Sequence, residues 1–220
     1  SNCDGVDDFD QDGDGSRSLA YGRGSDCNDF DPYISTDGIE SFNGIDDNCD
    51  GDIDRNVPAW NADVVIAGTN GSEKAGWAIT AGDLDGNGKD ELIIGSNNYN
   101  GGKGGVAVFL GESLSNLSSN ASFIDGFNSF SGTQSSDAAG SSLAVLSNFD
   151  GTNSPLVLIG APGTNGNSGD VFLLEGDEAI YGGDLDDAIM NISGSGGNYV
   201  GRGISQDLDL DADGLSDIFG

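Results

Sequence analysis

Apolar residues along this chain come in short runs separated by glycine-rich polar stretches. "ELIIG" from Glu91, "GGVAVFLG" from Gly104, "LVLIGAPG" from Leu156 and "GDVFLLEG" from Gly169 are rich in Val, Ile, Leu and Phe. Each is bounded by Gly, Asn, Asp or Pro, the pattern of a buried strand between turns. The runs also repeat in step. "AGWAITAGDLDGNGKDELIIGS" begins at Ala75, "AGSSLAVLSNFDGTNSPLVLIGAPG" at Ala139 and "VGRGISQDLDLDADGLSDIFG" at Val200. Their aligned polar loops start at Asp83, Asn148 and Asp209, 65 and 61 residues apart.

An extended run precedes each segment ("ADVVIAG" from Ala62, "ASFIDG" from Ala121, "DDAIMNISG" from Asp186), and a glycine-led strand follows the first two. Each unit therefore predicts four short strands separated by turns, the pattern of one propeller blade. The expectation is an all-β fold: an incomplete β-propeller of about two and a half four-stranded units. The units lie near 62–120, 121–185 and 186–220, the last incomplete. Trp60 and Trp77 are expected to pack in the core or at a junction.

Residues 1–57 break this pattern. They are acidic and nearly strandless, and "NCDGVDD" from Asn2 repeats as "NCDGDID" from Asn48. They predict a separate irregular region, joined through "RNVPAW" (residues 55–60) to blades spanning 58–220.

Charge narrows the function. The chain carries 38 acidic and 7 basic residues, a formal charge of −31. Such a surface repels nucleic acid and anionic membrane and favours cations. Glycine fills 38 of 220 positions, more than twice the ~7% of average proteins, which favours turns over helix. There is no histidine, which removes Ser-His-Asp and Cys-His catalysis and His-ligated zinc. No phosphate-binding or nucleophile-elbow motif occurs, and no run of about 18 apolar residues predicts membrane insertion. Cys3, Cys27 and Cys49 lack C-x-x-C spacing. A disulfide in an oxidising compartment, with one thiol left over, fits better than a zinc or redox site; three free thiols are the alternative.

The polar loops themselves suggest the chemistry. Asp83, Asp85, Asn87 and Glu91 place oxygens at positions 1, 3, 5 and 9, and the Lys89 carbonyl can supply position 7. Asp209, Asp211, Asp213 and Asp217, with the Leu215 carbonyl, repeat the set. Asp46, Asn48, Asp50, Asp52 and Asp54 form a third, and Asp8, Asp10, Asp12 and Asp14 a fourth, with Ser16 at position 9. Alternating oxygens with glycine easing the turn can converge on one Ca²⁺; a plain polar turn before a strand is the alternative. Packed carboxylates repel, so a cation is the physical reason to tolerate them. An EF-hand would need Glu at position 12, but Leu19, Val57, Ile94 and Gly220 stand there. The Asn148 loop has Asp150, Thr152 and Leu156 at positions 3, 5 and 9, and is expected to hold no ion.

"DLDGNGKDELIIG", "DLDADGLSDIFG" and the "GAP" at Gly160 give residues 62–220 a resemblance to the FG-GAP repeats of integrin α-subunit β-propellers and bacterial surface proteins. "DCND" and "NGIDDNCDGDID" make residues 1–57 similar to acidic, cysteine-bearing metal-binding repeats of secreted bacterial proteins. The resemblance implies Ca²⁺, three to four ions, on loops between a blade's first two strands. Cys27 and Cys49 fall in one acidic unit and are the expected pair.

The function expected is a non-enzymatic, extracellular calcium-binding module, secreted or at a cell surface, serving adhesion or structure. The alternative is the propeller part of a secreted enzyme. Expected partners are further blades of the same polypeptide or neighbouring copies, as in a filament, and a protein or glycan ligand. Asn70, Asn116, Asn120 and Asn191 begin N-x-[ST] sequons that offer glycosylation acceptors.

Overall fold

The computed structural model describes residues 9–22, 24–55, 62, 64–126, 128–152, 154–181, 185–205 and 209–218. The chain divides into two compact units, Ser1–Val65 and Ile66–Gly220. Asp8, Cys3 and Trp60 lie outside the described residues, as does most of the 55–60 junction.

The first unit has little apolar interior. Among its described residues Ile34 is the buried hydrophobic side chain, while Ser18, Asp26, Ser35, Glu40 and Asp47 are buried and polar. Phe30, Tyr33 and Phe42 are exposed. A core this small needs staples. One is the disulfide between Cys27 and Cys49, whose Cα atoms are 5.8 Å apart. Others are carboxylates accepting backbone N–H groups: Asp47 from Ser41 and Glu40 from Asn48. Among its described residues up to Val64, regular structure is limited to the 3₁₀ turn Leu19–Tyr21 and a parallel bridge between Ser18 and Asp26.

The second unit is built from strands β1 (Val65–Ala67), β2 (Ala75–Gly82), β3 (Glu91–Ser96), β4 (Gly105–Phe109), β5 (Asn120–Ser122), β6 (Asn128–Ser131), β7 (Ser142–Leu146), β8 (Leu156–Ala161), β9 (Asp170–Glu175) and β10 (Met190–Ser193). They form two four-stranded sheets, ordered β2-β3-β4-β6 and β7-β8-β9-β10, and a small pair, β1-β5. Pairing within the larger sheets is antiparallel throughout, with Ile93 opposite Val108 and Ile159 opposite Phe172. The fold is thus mostly β, with only short helices such as Gly176–Tyr181.

The central strands of both sheets are buried on both faces, which is why they appear in sequence as continuous apolar runs. Ile93, Val106 and Val108 from the first sheet pack against Val145, Val157 and Ile159 from the second, and Ile180 of the helix joins them. The far face of the second sheet, Leu146, Leu158 and Leu173, is covered by Val200, Ile204 and Ile218 of the third repeat. Face-to-face stacking brings backbones close at glycines. A Cβ on Gly160 would run into the Gly201 carbonyl, and one on Gly95 into the Gly140 carbonyl. These glycines occupy equivalent positions in successive sheets.

The outer strands depart from the expected segmentation. The "ASFIDG" run splits into β5 and a 3₁₀ turn, Phe123–Asp125, and Asn128–Ser131 takes the fourth place in the first sheet. The run at Asp186 opens with a 3₁₀ turn, and Met190–Ser193 pairs with β9 as the edge of the second sheet. Trp77 is not in the core. It is 57% exposed on β2, with the Lys74 ammonium 5.0 Å from its ring centre. Lysine can cover an exposed aromatic face in this way while its charge stays wet.

Candidate metal centres

The Asp83 loop joins β2 to β3 and the Asn148 loop joins β7 to β8, and the shape of each acidic loop follows from its own side chains. In the Asp83 loop, the Asp83 carboxylate accepts the N–H groups of Asn87 (3.0 Å) and Gly88 (2.9 Å). Asp85 accepts from Asn87 and Asn87 from Lys89, at 3.0 and 2.9 Å. The Asp209 loop repeats this bond for bond, from Asp213 and Gly214 to Asp209, from Asp213 to Asp211 and from Leu215 to Asp213. Position 4 has positive φ in both, at Gly86 (76°) and Ala212 (62°), and so does position 6, at Gly88 (83°) and Gly214 (86°). Glycine is the residue that adopts this backbone without steric cost.

The two loops close in the same manner. Glu91 accepts the Leu84 N–H at 2.8 Å, and Asp217 accepts the Leu210 N–H at 2.7 Å. The position-9 carboxylate therefore folds back onto position 2. Asp83, Asp85 and Glu91 offer oxygens within 4.8 Å of one another, as do Asp209, Asp211 and Asp217. That span matches oxygens on opposite sides of a Ca²⁺ with bonds of ~2.4 Å. Glu91 is fully buried. Burial raises its pKa, and the charges of Asp85 and Asp83 push the same way, against hydrogen bonds from Leu84 and Gly111. Asn87 also donates to Glu112 (3.2 Å), a carboxylate that the loop spacing does not reveal.

The Asn148 loop is different. Asp150 accepts both the N–H and the hydroxyl of Thr152, which holds its pKa low. Position 9 is the buried Leu156. The Asn148 amide turns to the Gly214 carbonyl at 3.0 Å, and its own carbonyl accepts the Ser216 N–H, so this loop braces its neighbour.

In the first unit the Asp46 loop shares the turn but not the closure. Asp46 accepts from Asp50 and Gly51, Asn48 from Asp50, and Asp50 from Asp52. Asp54, however, accepts the N–H groups of Asn43 and Gly44, each at 3.1 Å, and Asp52 pairs with Arg55. Among the described residues, no three carboxylates of this loop gather as closely as in the blades.

In the remaining loop, the bonds among the described residues are framed on Asp10. Gly15 donates to Asp10, Asp14 to Asp12 and Ser16 to Asp14, which makes Asp10 position 1 and Ser18 position 9. Asp10, Asp12 and Asp14 lie within 4.8 Å of one another. Two acids outside the loop stand beside them. Asp29 accepts the Gln11 N–H at 3.0 Å. Asp26 is fully buried, and its pKa is raised by burial and by the charges of Asp12, Asp14 and Asp29, against a hydrogen bond from Asn28.

Residues 75–109, spanning β2, the Asp83 loop, β3 and β4, match the family model described as FG-GAP repeat. That segment is similar to an FG-GAP repeat. Residues 26–55, from Asp26 through the Asp46 loop, match the model described as "Putative metal-binding motif". No curated protein matches the chain. The two models follow each other in the order that the sequence predicts.

A second recurrent device escaped the spacing argument. Glu73 accepts from Thr69 (N–H and hydroxyl, each 2.6 Å) and Asn70, and Asp137 accepts from Gln134 and Thr133 in the next repeat. The signal was present as "GTNGSE" and "GTQSSD" before β2 and β7. The sequon asparagines Asn70, Asn116, Asn120 and Asn191 are all exposed, although the Asn70 amide is engaged by Glu73. No helix among the described residues is long and apolar enough to cross a membrane.

Proposed function

We propose that this chain is a non-enzymatic, calcium-rigidified module of an extracellular protein, secreted or displayed at a cell surface. The carrying observation is Glu91, a fully buried carboxylate within 4.8 Å of Asp83 and Asp85. Among the described residues no lysine or arginine pairs with the three. A buried carboxylate beside like charges and without a counter-charge is costly, and a bound hard cation removes the cost. Calcium suits the all-oxygen donor set. It would occupy the Asp83 and Asp209 loops and pin the position-9 carboxylate of each to its turn, leaving the Asn148 loop to its internal hydrogen bonds.

The role that follows is structural or adhesive. Stacked sheets with pinned loops present a stiff surface to a protein or glycan ligand. Further blades of the same polypeptide, or neighbouring copies, extend the stack. Strand β10 supports that reading, because all four of its residues are exposed at a sheet edge.

Thermal unfolding in calcium and in EGTA tests the proposal. Each site held at a hundredfold its Kd adds about 2.7 kcal/mol to the unit that contains it. Two blade sites then raise the melting temperature of the second unit by roughly 10–20 °C. Identical melting in both media would overturn the calcium reading.

A further inference from the structure

We propose that Asp26 and Asp29 complete a hard-cation site with Asp10, Asp12 and Asp14, so that the first unit is closed by an ion whose ligands come from two separate stretches of chain. The inference rests on the calcium reading of the blade loops and extends it to a site whose own loop lacks the closing carboxylate.

In the blade loops that carboxylate is at position 9 and accepts the N–H of position 2. Counted from Asp10, position 9 is Ser18, whose hydroxyl accepts the Ala20 N–H instead. The position-2 N–H, on Gln11, goes to Asp29. Asp29 thus makes the bond that Glu91 and Asp217 make, from 18 residues beyond Gln11.

Asp26 is placed by backbone. It bridges Ser18 in parallel fashion, its carbonyl accepts the Leu19 N–H at 2.7 Å, and its N–H reaches the Arg17 carbonyl at 3.1 Å. It therefore stands beside position 9, where the blade loops carry an acid. One Asp26 oxygen, Oδ1, accepts the Asn28 N–H. The other, Oδ2, is buried with no hydrogen-bond donor, and so is Oδ2 of Asp12. A carboxylate oxygen cut off from water with no donor is expensive. Two of them in this unit mark a place where a positive ligand belongs.

Among the described residues no protein cation fills that place. Arg17, the basic residue of this loop, lies over the Phe9 ring at 5.7 Å. Among the described residues none of the five carboxylates is in an ion pair. The three that already lie within 4.8 Å are Asp10, Asp12 and Asp14; a Ca²⁺ among them would draw Asp26 and Asp29 inward. Asp26 and Asp29 flank Cys27, so the ion and the Cys27–Cys49 disulfide would fasten the same strand of chain. That pairing of staples suits a unit whose buried hydrophobic residue is Ile34 alone among those described.

The test is nuclear magnetic resonance on the full isotope-labelled chain titrated with calcium chloride. Gly15, Gly88 and Gly214 are the position-6 amides of three loops and report on each separately. In the wild type, the Asp26 and Asp29 carboxyl carbons are expected to shift in step with the Gly15 amide. Asp26→Asn and Asp29→Asn should each weaken the Gly15 transition roughly tenfold or more, since ligand charge tunes calcium affinity over decades. Both should leave the Gly88 midpoint unchanged. The control is Asp31→Asn, which removes one nearby charge while keeping an oxygen for the Tyr33 N–H, and should change neither midpoint.

A silent Gly15 amide, or a Gly15 transition with the two carboxyl carbons unmoved, overturns the proposal. So does a Gly15 midpoint indifferent to both substitutions. If a variant fails to fold, the wild-type carboxyl carbons alone decide. Silence at Gly88 and Gly214 as well would bring down the calcium reading of the blades; silence at Gly15 alone would not.

Discussion

Replacing Glu91 by glutamine separates a metal ligand from a structural cap. The buried carboxylate feels Asp83 and Asp85, both within 4.8 Å. At an effective dielectric of ~20, two unit charges at that distance repel by about 3.5 kcal/mol. Hydrogen bonds from the Leu84 and Gly111 N–H groups oppose this, each worth ~1.5–3 kcal/mol to a charged acceptor. Counted for both aspartates the repulsion is about 7 kcal/mol, comparable to or above the two bonds, and burial adds to it, so the pKa of Glu91 is raised. Glutamine removes the charge and keeps an oxygen for Leu84. In EGTA, Glu91→Gln should therefore be as stable as the wild type to within about 1 kcal/mol, or slightly more stable. In excess calcium it should be less stable by roughly 2–3 kcal/mol, the linkage energy of the site that it spoils. Differential scanning calorimetry reads this as a calcium-induced rise in melting temperature smaller by about 5–10 °C. Equal destabilisation in both media would refute the reasoning and leave Glu91 as a cap for the Leu84 turn.

Three further outcomes follow from the same geometry. Glu73 is buried, which raises its pKa, but hydrogen bonds from Thr69 and Asn70 outweigh burial and leave it lowered. Its stabilisation is therefore present above the unfolded carboxylate value of about 4.3 and is lost as pH falls through the lower native value; Glu73→Gln should flatten that acid limb in urea titrations. Gly160→Ala should destabilise the second unit by about 1–3 kcal/mol, because its Cβ meets the Gly201 carbonyl and the Ser142 hydroxyl, and a normal urea midpoint would contradict the stacking described. Asn148→Ala should leave the number of bound calcium ions unchanged, whereas Asp217→Ala should remove or weaken one, as counted by calorimetric titration.

The blade loops were legible because their ligands are local. Alternation from Asp83 to Glu91 places every oxygen within nine residues, and the αL turns at Gly86 and Gly88 need nothing from the rest of the fold. The central strands were equally plain, since burial on both faces leaves an unbroken apolar run such as "GVAVF". What escaped depends on distance along the chain. Asp29 and Asp26 reach the Asp10 loop from the next stretch, and no periodicity within the loop announces them. The run of acids at 8, 10, 12 and 14 admits two frames, and the Gly15 N–H bond to Asp10 supports the one that starts at Asp10. Asp54 fits the spacing of a ligand but caps the Asn43–Gly44 turn instead. Trp77 carries the composition of a core residue, yet its place on β2 leaves it to solvent and Lys74.

Native mass spectrometry of the intact chain in calcium-containing buffer tests the central claim most directly. The account predicts three retained Ca²⁺ ions, at the Asp83, Asp209 and Asp10 clusters, with the Glu91→Gln chain retaining one fewer. A chain that retains no Ca²⁺ under conditions where its fold survives would contradict it.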